Sequence, residues 1–152
     1  MHVYVDADAC PVKDEVYRVA DRYGLSVTLV ANSPFRIPLH DRIRLVVVGT
    51  RFDEADDWIA DNAGAGDIVI TADIPLASRC LKNGARVIGS TGKPFTDATI
   101  GQALAGRELS QHLRESGLIT GGPAPLGKQD RSRFLQQLDQ DIQAIRRAAG
   151  IR

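Results

Sequence analysis

The chain has 152 residues, which suits a single domain and is long enough to bury a core. Apolar residues make up 43% and charged residues 25%, and no run of about 18 apolar residues occurs, so a membrane-spanning helix is excluded. Nineteen Lys and Arg balance nineteen Asp and Glu, which argues against a passive nucleic-acid coat but not against a nuclease, whose acidic centre offsets basic residues elsewhere.

The opening MHVYVDADA leads directly into a strand and has no basic segment followed by an apolar one, so no secretory signal is expected and the expected location is cytoplasmic. Residues 2–5 read as a short buried strand ending at Asp6. Pro11 suits a first helical turn, and Val12, Val16, Val19, Ala20 and Tyr23 recur at helical spacing until Gly24 stops the helix. Cys10 has two readings there: a thiol made reactive by the helix macrodipole, or a small buried residue. With Cys80 it makes two cysteines, too few for a disulfide framework and lacking zinc spacing.

Residues 26–31, rich in Val, Thr and Leu, read as a second strand, and 32–41, with Pro34 and Pro38, as an irregular loop. The run over 43–49 contains three consecutive valines and reads as a strand covered on both faces. A helix follows over about 53–63, then a strand over 67–71, a helix from Pro75 to Asn83-Gly84 and a strand over 86–89. Strands alternating with helices imply right-handed βαβ units. The expected fold is a three-layer α/β sandwich with a mostly parallel sheet of about five strands, in one domain. Its core spans 1–90 and a helical extension spans 91–152. In that extension Thr96-Asp97 caps a helix carrying Ile100, Leu104, Leu109 and Leu113. The stretch GLITGGPAPLG then reads as a flap over substrate or a plain connector. A last helix over about 132–149 aligns Leu135, Leu138, Ile142, Ile145 and Ala149 for packing on the sheet.

The chemistry concentrates in carboxylates. Asp6 and Asp8 follow strand one, Asp73 follows strand four through Thr71-Ala72, and Glu54, Asp56 and Asp57 open the helix after strand three. All these places lie at the carboxyl edge of a parallel sheet, where open α/β folds keep their ligand crevice, and strands one and four are expected side by side. Like charges so close raise one another's pKa unless a cation intervenes, and all-oxygen ligation suits Mg²⁺ or Mn²⁺. Asp8 also suits a helix N-cap, and the acids at 54–57 suit a first helical turn without any metal. Asp56 and Asp57 diverge by about 100° and so cannot both face the crevice. Cations available to hold a phosphate are Lys13, Arg79, Lys93, Arg131 and Arg133; each also reads as a solvated surface charge, and Lys13 is favoured because its helix starts at the proposed metal.

GTRFDEADDWIADNAGAGDIVITADIPLA is similar to the acidic core of the 5′-nuclease domains of bacterial DNA polymerases and to the wider PIN-domain superfamily. With VDADACPVK, TGKPFT, GGPAP and DRSRFLQQLD, nearly the whole chain resembles the bacterial YaiI/YqxD family, regarded as PIN-like. The resemblance implies metal-ligand roles for Asp6, Asp56 and Asp73, with Asp57 and Glu54 beside them, while Asp8 belongs to the VDADACPVK motif. It departs from the polymerase pattern at Ile74-Pro75, where a second aspartate is expected two residues after Asp73, which weakens a second metal site. The expected activity is a Mg²⁺- or Mn²⁺-dependent nuclease acting on RNA or single-stranded nucleic acid, with homo-oligomer formation left open.

Two rivals differ in class. A haloacid-dehalogenase-type phosphatase would use Asp6 as nucleophile and Asp8 as general acid, but it expects the Ser or Thr strand end before its paired aspartates, and here Asp56-Asp57 precede Thr71. A non-catalytic PIN-like module would bind RNA or a protein; eight aromatic residues give it little sign of a stacking platform.

Overall fold

Short β-branched segments pair in parallel through the middle of the chain, whose computed structural model describes residues 1–51, 53–115 and 126–150. They are β1 (His2–Asp6), β2 (Ser26–Ala31), β3 (Ile43–Val47), β4 (Ile68–Ile70) and β5 (Arg86–Ile88), in spatial order β3-β2-β1-β4-β5. A two-residue strand, β6 (Pro94–Phe95), adds antiparallel to β5. The sequence reading stopped at five strands. Two residues carry no period, and Pro94 is tolerated because an edge position need not donate to the ladder.

Alternation along the strands separates two cores. Val3, Val5, Val27, Leu29, Ile68 and Ile70 face one side, where α1 (Lys13–Tyr23) and α5 (Lys128–Ala148) cover them. Val30, Val69 and Val87 face the other, under α2 (Glu54–Asn62) and α3 (Ile74–Lys82), with Ile100 of α4 (Asp97–Glu115) packed against them. This is the expected three-layer α/β sandwich. None of the helices among the described residues is long and apolar enough to cross a membrane.

Several boundaries differ from expectation for identifiable reasons. After Asp6 the chain makes a 3₁₀ turn over Ala7–Ala9, and α1 starts at Lys13 with Val12 as N-cap, so neither Asp8 nor Pro11 opens that helix. Gly24 does close it, at φ 67°, donating to Ala20 and Asp21 carbonyls. β3 is not covered on both faces: it is the outermost strand, and Val47 is 47% exposed. The β2–β3 crossover contains no helix, so only Phe35 and Ile37 from that loop reach the adjoining core. α5 begins four residues earlier than the apolar stripe indicates, and Phe134, absent from that stripe, is fully buried with Leu138 and Ile142. Ala149 lies just past its end as C-cap. Residues 117–125 of the glycine and proline stretch lie outside the described residues, as do the side chains of Leu109 and Leu113.

Candidate active site

Register fixes the neighbours of Asp6. β1 lies between β2 and β4, with Asp6 opposite Val30 and Val5 opposite Ile70. Thr71 therefore leaves β4 beside the end of β1. Its hydroxyl, 2% exposed as a residue, donates to Asp6 Oδ2 at 2.8 Å and accepts from the Asp73 N–H at 3.0 Å. Asp73 in turn caps α3, its Oδ1 accepting from Leu76 N at 2.9 Å, with Pro75 in the first turn where a missing N–H costs nothing.

Asp56, in the first turn of α2, completes this group. Burial, reinforced by the negative charges of Asp73, Asp6 and Asp53, pushes its pKa up to about 7, with a smaller contribution from a hydrogen bond to Asp73. Asp6 is also raised, first by burial and then by Asp73 and Asp8, while the Thr71 bond opposes the shift. Without a cation, the cluster relieves its repulsion by holding a proton.

The other candidates are drawn elsewhere. Asp57 points away from Asp56 and pairs with Arg79 Nη1 at 2.8 Å, which occupies Arg79 as well. Asp8 accepts from the backbone N–H of Asn32 at 2.9 Å. The Glu54 carboxylate lies against Gly49, where an added Cβ would meet Oε2 at 2.5 Å, and Arg51 Nε is 3.9 Å away. Lys13 Nζ donates to the Cys10 carbonyl at 3.1 Å and sits 5.0 Å from the Phe35 ring centre. Arg131 is held by Glu15 at 2.9 Å and by the Pro11 carbonyl, and Arg133 by Asp130 at 3.0 Å. Lys93 stands exposed in the turn between β5 and β6. Cys10 is a buried residue of the first core, and burial pushes its thiol pKa up, so the reactive reading fails.

Asp6, Asp56 and Asp73 thus sense one another, yet no group of three or more His, Cys, Asp or Glu among the described residues is arranged to hold an ion. Asp73 is turned to its cap and Asp6 to Thr71. A shared cation would require these carboxylates to swing inward, and the donor set, all oxygen and mutually repelling, suits a hard divalent ion. Thr71 was the residue that sequence reasoning missed; its only trace is a hydroxyl two positions before Asp73 at a strand end.

The chain is similar over nearly its whole length to proteins of one bacterial family. A UPF0178 protein of Nitrobacter winogradskyi is 58% identical over 152 residues, covering 100% of this chain and 97% of the relative. One from Rhodospirillum rubrum is 56% identical over 148 residues, 97% of this chain and 99% of its own length. Another, from Rhodospirillum centenum, is 56% identical over 151 residues, with 97% and 98% covered. No solved structure matches. The family model described as "Uncharacterized BCR, YaiI/YqxD family" matches residues 4–144, and the chain therefore belongs to the YaiI/YqxD family.

Proposed function

We propose that the chain is a Mg²⁺- or Mn²⁺-dependent phosphodiesterase acting on RNA or single-stranded nucleic acid. The observation that carries this reading is the gathering of three carboxylates at the carboxyl edge of β1 and β4, where Thr71 bridges Asp6 and Asp73, and where burial, with the charges of Asp73 and Asp6 added, lifts Asp56 to about 7. A bound divalent ion would activate water and neutralise charge developing on a phosphodiester. The chain's own part is to hold the carboxylates: Thr71 restrains Asp6 through Oδ2, and its hydroxyl and the start of α3 fix Asp73. Lys13 and Lys93, at the same edge, are the cations best placed to steady a phosphate, since Arg79, Arg131 and Arg133 are already paired.

The test uses labelled RNA and DNA with Mn²⁺ or with chelator. Wild-type protein is expected to cleave with Mn²⁺ alone, and Asp6→Asn combined with Asp73→Asn to fall to background while keeping its fold by circular dichroism. Unchanged cleavage in the double variant overturns the assignment. A second reading, a nucleic-acid- or protein-binding module without hydrolysis, draws on the lack of a ready three-ligand set among the described residues and on Ile74-Pro75 after Asp73. Binding with no cleavage under any cation would select it.

A further inference from the structure

Arg44 is held in place without a carboxylate. Arg79, Arg86 and Arg131 each face an Asp or Glu at 3.2 Å or less, whereas Arg44 forms no ion pair among the described residues. Its Nε instead donates at 3.2 Å to the hydroxyl of Thr28, which is fully buried, and its guanidinium lies 5.9 Å from the Trp58 ring centre. The residue is nonetheless exposed.

The register explains how this arises. Tyr4, Thr28 and Arg44 occupy matching positions on three adjacent strands, with side chains on the α2 side of the sheet, and Trp58 on α2 lies over the row. His2, one step earlier on the same face, stacks on Tyr4 with ring centres 4.5 Å apart, and Tyr4 lies 6.1 Å from Trp58. His2 Nε2 is 2.6 Å from the same Thr28 hydroxyl. Burial holds His2 below its ordinary pKa, which leaves it an uncharged ring beside Arg44 at neutral pH. Three rings and a fixed guanidinium without an ion pair therefore share one region, with the carboxylate of Asp67 at its far end, accepting from the His2 backbone N–H at 3.0 Å. A flat cation beside π faces is the chemistry that grips a phosphate while a base stacks, and it is tolerant of sequence.

We propose that Arg44 and Trp58 form a second contact for single-stranded nucleic acid, outside the acidic centre, with a backbone phosphate on Arg44 and a base stacked on the adjoining rings. This rests on nucleic acid being the substrate of the acidic centre. The same two elements carry both places: Tyr4 precedes Asp6 by two residues, roughly 7 Å along β1, and Trp58 follows Asp56 by two on α2. A chain that engages both must extend beyond the scissile bond, so the substrate class becomes a polynucleotide and not a mononucleotide. Overall charge balance hides this, because the relevant cation is local.

Trp58 is the only tryptophan, so its emission reports the contact directly. A short fluorescein-labelled single-stranded oligonucleotide is titrated into the full chain in chelator, with Trp58 emission and label anisotropy read together. Saturable quenching is expected. Arg44→Gln should weaken binding about tenfold and lower the salt slope by about one phosphate contact. Arg44→Lys, which keeps the charge but not the plane, should keep the slope and lose part of the quench; the distant Arg147→Gln should change neither. Thermal melting checks that each variant is folded. No oligonucleotide binding, binding without Trp58 quenching, or wild-type affinity and slope in Arg44→Gln would each overturn the inference. Chelator prevents cleavage, so this outcome is independent of the hydrolase assay: cleavage that ignores Arg44 removes only this contact, and binding without cleavage removes only the hydrolase.

Discussion

The raised pKa of Asp56 couples stability to pH. An ordinary aspartate has a pKa of 3.8, and Asp56 in the fold stands at about 7, so between these values the folded chain binds more protons than the unfolded one. Its stabilising contribution is complete below 3.8 and is lost as pH rises through about 7. Melting temperature in chelator should therefore fall between pH 4 and pH 7 by more in wild type than in Asp56→Asn, and the variant should melt higher at pH 8; equal slopes would contradict the raised pKa of Asp56. Added Mn²⁺ should raise the wild-type melting temperature at pH 8 and do little at pH 4. Thr71 acts at the same scale. Thr71→Val removes the donor to Asp6 Oδ2 and the acceptor for Asp73 N–H, an expected loss of about 1–3 kcal/mol in urea unfolding that Thr71→Ser largely restores. The carboxylates stood out because they fall at the carboxyl ends of expected parallel strands; the family resemblance singled out Asp56, whereas helix geometry said only that Asp56 and Asp57 diverge. That choice is made by α2 facing α3, which gives Asp57 to Arg79. Thr71 was illegible because threonine at a strand end also satisfies simple β propensity.

Among elements, the β5–β6 turn is held closely against the backbone of α5. Gly92 has φ 86°, and a Cβ there would lie 2.5 Å from the Arg133 carbonyl carbon and 2.6 Å from Phe134 N, whereas at Gly24, φ 67°, nothing lies within 4 Å. Gly24→Ala should cost about 1 kcal/mol for backbone conformation alone. Gly92→Ala adds a clash with backbone that cannot move aside, about 1–3 kcal/mol more. Guanidinium unfolding of the two variants should rank them in that order. The helices and long strands followed from period and caps. What did not follow were the edge position of β3, decided by sheet order; β6, too short to have a period; and the start of α5 at Lys128, with Phe134 in its second turn buried although Leu135 continues the visible stripe.

At the scale of the molecule, the sheet needs its last helix. Phe134, Leu138 and Ile142 of α5 lie in one cluster with Val3, Val5 and Leu29, all fully buried, so residues from both ends of the chain make a single interior. A chain ending at residue 126 should lose fixed tertiary packing, read as loss of near-ultraviolet dichroism, and Phe134→Ala in the full chain should cost about 3–5 kcal/mol. A truncated chain that melts cooperatively at the full-length temperature would refute this. The close seat of Gly92 on Arg133 and Phe134 has a mechanical result. The turn bearing Lys93 is clamped to a rod that, about 20 Å further on, lays Arg146 over Tyr23 at the tail of α1, whose head is Lys13. The turn that carries Lys93 and the helix that starts at Lys13 are thus both braced by the same final helix.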